Sequence, residues 1–123
     1  MAAPNLVSPT TINGKTTYLT LANTNETDLL TNASSSGKAL RVTNLMMVNI
    51  DGTNAVDASA TIYNAASGGT GFKICNTLTV PADSTVVLLS RENSVWLEED
   101  RRITVQASAA SDLAVICSYE EVS

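Results

Sequence analysis

Ile103-Thr104-Val105-Gln106-Ala107 places an apolar residue at every second position and a polar one between each pair. Successive side chains of a strand point to opposite faces, so this spacing describes one apolar and one wet face, as in a half-buried antiparallel strand. Residues 72–80 read the same way, with Phe72, Ile74, Leu78 and Val80 on one face and Lys73, Thr77 and Thr79 on the other. Nothing repeats persuasively at about 3.6 residues, the period of an amphipathic helix. From Leu40 the alternation passes through Val42, meets Asn44, and continues as the unbroken run Leu45-Met46-Met47-Val48. A one-residue slip of that kind is what a β-bulge produces. Val86-Val87-Leu88-Leu89 is apolar on both faces, which suits either a central strand covered twice or a strand lying under a subunit contact.

Turn chemistry separates these segments. Asp51-Gly52 suits a tight turn with positive φ, and Val80-Pro81-Ala82-Asp83 puts proline where a type I turn favours it. Ser67-Gly68-Gly69-Thr70-Gly71 and Ala33-Ser34-Ser35-Ser36-Gly37 read as flexible loops. Counting the intervals gives about eight short strands at regular spacing, the signature of a sandwich or small barrel. The expected fold is therefore all-β: a single antiparallel β-sandwich, jelly-roll or Ig-like, over residues 15–123. Residues 1–14 form an extended N-terminal arm in this reading, because Pro4 and Pro9 favour extended backbone without ladder donors. Leu6, Val7 and Ile12 give the arm apolar contacts to offer, either as a frayed end or along its own or a neighbouring subunit.

Composition narrows the function. The chain has 123 residues, enough for one domain with a modest core, and only 15% of them are charged, against about 25% in an ordinary soluble domain. So sparse a charge keeps a monomer soluble poorly, which points to a surface shared with neighbours. There is no histidine, the usual acid/base near neutral pH and the commonest metal ligand. A net charge of -5 opposes nonspecific attraction to nucleic acid and to anionic membranes. No signal peptide or membrane-length apolar run is visible, so synthesis and use without crossing a membrane is expected. Cys75 and Cys117 are then expected as free, buried thiols, and the sequons at Asn25 and Asn32 as chance matches in a Ser/Thr/Asn-rich chain.

No candidate site reaches a catalytic constellation. Glu98-Glu99-Asp100 followed by Arg101-Arg102 reads as a solvated or intersubunit turn, because consecutive carboxylates rarely face each other across a cleft. Asp51, Asn54 and Asp57 resemble a calcium loop only faintly, without the closing glutamate. Two cysteines cannot complete a zinc site, neither has an imidazole base, and Gly68-Gly69-Thr70-Gly71 lacks the Lys-Ser/Thr of a phosphate loop. Trp96, beside the charged turn, either anchors a partner or packs in the core. The expectation is no enzyme, no cofactor and no metal.

Val95-Trp96-Leu97-Glu98-Glu99-Asp100 leads into Ile103-Thr104-Val105, then Ala107-Ser108-Ala109, and closes with Ala114-Val115-Ile116-Cys117-Ser118-Tyr119-Glu120-Glu121. With Val48-Asn49-Ile50-Asp51-Gly52-Thr53-Asn54-Ala55 and the turn at Val80-Pro81-Ala82-Asp83, these segments resemble small all-β structural proteins of tailed bacteriophages, especially marine and cyanobacterial ones. The resemblance spans most of Gly37 to Glu121 and implies a virion subunit. A capsid decoration (cement) protein of that class clamps neighbouring capsid subunits from outside, commonly as a trimer. The implied partners are further copies of the chain and the major capsid protein. The implied location is the capsid exterior, after synthesis in the host cytoplasm. A tail, neck or fibre-attachment module would use the same fold with another symmetry. A carbohydrate-binding module would need exposed aromatics in a row, for which the chain offers Tyr18, Tyr63, Phe72, Trp96 and Tyr119. The candidate interface residues are Pro4, Leu6, Val7, Pro9 and Ile12 in the arm, with Trp96, Glu98, Glu99, Asp100, Arg101 and Arg102 at the turn.

Overall fold

The computed structural model describes residues 4–123, and these form nine strands and one 3-10 turn, with no α-helix. In chain order the strands are β1 (Ile12–Thr20), β2 (Thr27–Asn32), β3 (Ala39–Asn49), β4 (Val56–Tyr63), β5 (Gly71–Val80), β6 (Thr85–Leu89), β7 (Val95–Leu97), β8 (Arg101–Ala107) and β9 (Leu113–Val122). The 3-10 turn, Arg91–Asn93, joins β6 to β7, and Asn93 Oδ1 closes it by accepting from the Ser90 amide at 2.6 Å.

One sheet has the order β1-β9-β3-β6, with β7 also on β3, and the other β2-β8-β4-β5. β6 pairs with β3 at Leu45–Val48 and β7 with β3 at Leu40–Val42, so the two act as one interrupted edge strand. Nine strands thus occupy the eight positions expected from the turn spacing. The pairings are nested: β1 with β9, β2 with β8, β3 with β6 and β7, β4 with β5. A long antiparallel hairpin rolled up on itself gives this order, which is a jelly roll. The Ig-like alternative is set aside by the same pairing.

The bulge lies where the sequence pattern slips. The β3–β9 register shifts between Val42 and Asn44, and the buried set changes from Leu40 and Val42 to Leu45, Met47 and Asn49. Inward residues of β3, β8 and β9, among them Ile103, Val105, Val115 and Cys117, fill the space between the sheets. Two buried asparagines staple its ends. Asn32 donates to Lys38 O at 2.9 Å and Leu97 O at 3.0 Å, and Asn49 donates to Asn54 O at 2.9 Å and Val80 O at 3.0 Å. Asn32 is 3% exposed, so the second sequon is part of the core wall.

Several expectations are corrected. Val86-Val87-Leu88-Leu89 falls in the edge strand β6, not in a central one, and Val87 is exposed. In β5, also an edge strand, two register shifts and a positive φ at Thr77 interrupt the alternation, leaving Phe72 and Leu78 partly exposed. Gly52 is not among the positive-φ residues; the turn is made by the Asp51 carboxylate accepting the Thr53 amide at 2.8 Å. At the other turn Ser84 N–H donates to Pro81 O, which makes Pro81 the first residue of the turn, and Asp83 takes the left-handed conformation. The 67–71 loop is tied down, because Arg102 donates to Gly68 O at 2.9 Å and Asn64 Oδ1 accepts from Thr70 N–H at 2.8 Å. Gly69 is required there: its φ is +77 and a Cβ would stand 2.6 Å from Asn64 Oδ1. Ile12, Asn13 and Gly14, read as arm, are the first residues of β1 and pair with Val122, Glu121 and Glu120.

Candidate functional site

β7 is short and follows the bound 3-10 turn, so it carries Trp96 to one end of the sandwich. Trp96 opposes Arg41 on β3 and remains 41% exposed, which sets aside the core reading of this residue. On one side, Trp96 and Glu98 form a shallow cavity with Pro4, Leu6 and Ala39. On the other, they form one of about 220 Å³ with Ile62, Tyr63, Phe72 and Arg101. The indole is therefore a ridge between two hollows, rimmed by one acid and one base.

The arm reaches this ridge along its own subunit. Thr10 and Thr11 donate their amides to Ser123 O at 2.7 and 3.1 Å, anchoring the arm beside the end of β9. Asn5 then turns the chain, its Oδ1 accepting the Val7 amide at 2.9 Å. Of the sequence-predicted residues, Pro4, Leu6, Trp96, Glu98 and Arg101 meet here. Val7 projects into solvent at 94% exposure, Pro9 lies outside both hollows, and Ile12 is paired in β1. Glu99 and Asp100 form the turn itself, with Asp100 at φ 61 and its Oδ1 accepting the Ala66 amide at 3.0 Å. Ile62, Tyr63 and Phe72 complete the second hollow; in the sequence Tyr63 and Phe72 stand out only as candidate aromatics for a sugar, and Ile62 does not stand out at all.

Arg102 has a structural task on the outer face of the second sheet. Its guanidinium lies 3.8 Å from the Tyr63 ring centroid, donates to Ala65 O at 2.7 Å and pairs with Asp28 at 3.4 Å. Glu26 joins the same cluster, accepting from Thr104 Oγ1 at 2.6 Å and Tyr63 Oη at 2.8 Å. Those two hydrogen bonds hold the Glu26 carboxyl below its ordinary range, and the Glu26 bond pushes the Tyr63 phenol up. Thr104 and its cross-strand neighbour Thr61 are buried.

The remaining reactive groups are quiet. Cys75 and Cys117 are free; burial raises both thiols, Cys117 to about 12, so each stays protonated and poorly nucleophilic. Asp51 is held low by the Thr53 amide, while Asp57 Oδ1 accepts from Thr79 Oγ1 at 2.9 Å in a different contact. No metal-ligand cluster occurs among the described residues. The arrangement offers hollows, an aromatic ridge and a rim of charge, which are the parts of a recognition surface.

No family model matches the chain. No curated protein sequence matches it significantly. Among solved structures it is similar to a protein of the Bacillus endospore appendages, a family of disulfide-linked pili, at 16% identity and TM-score 0.53, covering 92% of this chain and 88% of that one. It is also similar, at 9% identity and TM-score 0.53, to a protein of the acid-stable capsid of Helicobacter pylori bacteriophage KHP30, covering 94% of this chain and 90% of that one. Both likenesses span nearly the whole sandwich and show the fold.

Proposed function

We propose that the chain is a non-enzymatic virion structural protein, a capsid decoration (cement) protein that binds the outside of the major capsid shell. In this reading it acts as a homo-oligomer, a trimer, made in the host cytoplasm and carried on the capsid exterior. The observation that carries it is the Trp96 ridge: a half-exposed tryptophan between two hollows, rimmed by Glu98 and Arg101, on a chain of which only 15% of residues are charged. Tryptophan and arginine are the residues that most often anchor an interface, and a polar rim excludes water around them. The similarity of fold to a phage capsid component supports the setting. Many weak copies, each burying apolar surface at about 25 cal/mol per Å², would together hold a shell against internal pressure.

Quantitative densitometry of purified particles tests the placement. A shell protein occurs in copy numbers comparable with the major capsid protein, whereas a tail, neck or fibre-attachment module occurs in about tens of copies at most, those of a single ring. Trp96→Ala is expected to weaken binding to stripped capsids by about 30-fold or more, as hot-spot truncations of about 2 kcal/mol do. Copy numbers of a single ring overturn the decoration reading. A second reading, a carbohydrate-binding module, is favoured by Trp96 and Phe72 lining one hollow. Quenching of the single tryptophan's fluorescence by a glycan, without capsid binding, would select it.

A further inference from the structure

The outer face of the first sheet carries an apolar row that crosses all four of its strand positions. Tyr18 on β1 opposes Ile116 on β9, Ile116 opposes Met46 on β3, and Met46 opposes Val87 on β6. Their sequence neighbours Thr17, Cys117 and Met47 face inward, the last two at 0% exposure, so by strand alternation the row faces out. Tyr18 is 75% and Val87 56% exposed. The next row, Thr20, Ala114, Val48 and Thr85, and the preceding one, Thr16, Ser118 and Asn44, contain no charged residue. No element of the described chain forms a layer over this face.

We propose that this face is the contact between copies of the chain, with a second copy as its occupant. The charge distribution selects that occupant. A chain of net charge -5 repels its own kind wherever carboxylates face each other, and these rows are free of them. The Trp96 ridge, by contrast, carries Glu98 and Arg101 and suits a separately folded partner. Permanent contacts between identical subunits are the apolar, charge-depleted kind. The charge-free rows, four strands about 4.8 Å apart over the five residues of β6 at about 3.4 Å each, project roughly 330 Å². That is the apolar centre of a contact, with a polar rim outside it. The inference rests on the assembly reading only for the premise that the chain is a homo-oligomer; Trp96, opposite Arg41, lies beyond the charge-free rows toward the other end of the same sheet.

Analytical ultracentrifugation of the full chain at about 100 μM, far above the Kd of a stable assembly, provides the test. The wild type is expected to sediment as an oligomer. Tyr18→Asp and Val87→Asp change residues more than half exposed in the single subunit, so the fold tolerates them. Each is expected to weaken association by about 100-fold or more, by placing an unpaired carboxylate in the contact, while circular dichroism stays unchanged and Tyr18→Phe associates normally. A monomeric wild type overturns the proposal. Aspartate variants that fold and associate like the wild type overturn it too. Capsid binding by the same variants is measured separately: its loss in Trp96→Ala but not in the aspartate variants keeps the two surfaces apart.

Discussion

The two outer faces of the sandwich are built from similar amounts of threonine and serine, yet they are finished differently. On the second sheet, Glu26, Tyr63, Thr104, Arg102 and Asp28 satisfy one another at 2.6 to 3.8 Å, with Thr104 and its cross-strand neighbour Thr61 buried. That face is complete in water. On the first sheet, Tyr18, Ile116, Met46 and Val87 run across the strands with no polar partner and no cover among the described residues. Exposure alone does not distinguish the two faces; what does is whether a face's groups are satisfied within the subunit.

Removing the keystone of the finished face has the largest expected effect. Arg102→Ala deletes a ring contact, two carbonyl hydrogen bonds and an ion pair at once. Charge-assisted hydrogen bonds and cation–π contacts of this kind sum to a loss of about 2–3 kcal/mol in urea unfolding. A loss below about 0.5 kcal/mol would mean the cluster decorates the face without holding it.

A smaller effect is expected at Glu26. Thr104 and Tyr63 hold its carboxyl below the ordinary 4.5, so the folded state keeps the charge to lower pH than the unfolded one does. The resulting stability is fully present above the unfolded pKa and is lost as pH falls through the folded one. Because Glu26 is exposed, screening limits its contribution to well under about 1 kcal/mol at neutral pH. Melting curves of Glu26→Gln and wild type should converge as the pH drops below about 4. Curves that stay parallel would break the link between the cluster and that carboxylate.

The smallest effect belongs to the unfinished face. Val87→Thr, measured where the chain is monomeric, should change stability by less than about 0.5 kcal/mol, as surface substitutions do. A larger loss would show that the face already contributes to the single subunit.

The bulge at Asn44 was legible because burial imposes period two, and a one-residue insertion must then exchange odd for even positions. The strand count was legible from turn residues for a similar local reason. The position of a strand within a sheet is not local. Val86-Val87-Leu88-Leu89 suits either a central strand or one under a subunit contact by its apolar run, and only the nested pairing makes it an edge. Within the site, Trp96, Glu98 and the arm were visible as uncommitted residues, while Ile62 and Phe72 reach them through β4 and β5 of the opposite sheet. Asn32 and Asn49 gave no signal at all: each is buried because carbonyls far along the chain end beside its amide.

The nested pairing also dictates when the protein can come into being. Ile12 is matched with Val122, and the strand made first has its only full-length neighbour in the strand made last. At about 5–20 residues per second, the ribosome delays that neighbour by roughly 5–20 s. Throughout that interval the early strands carry apolar residues without their partners, a state prone to the wrong associations. Closure over such sequence distances is also slow in itself. The sandwich therefore closes only after β9 has left the ribosome, and until then the sheet that begins with β1 is incomplete.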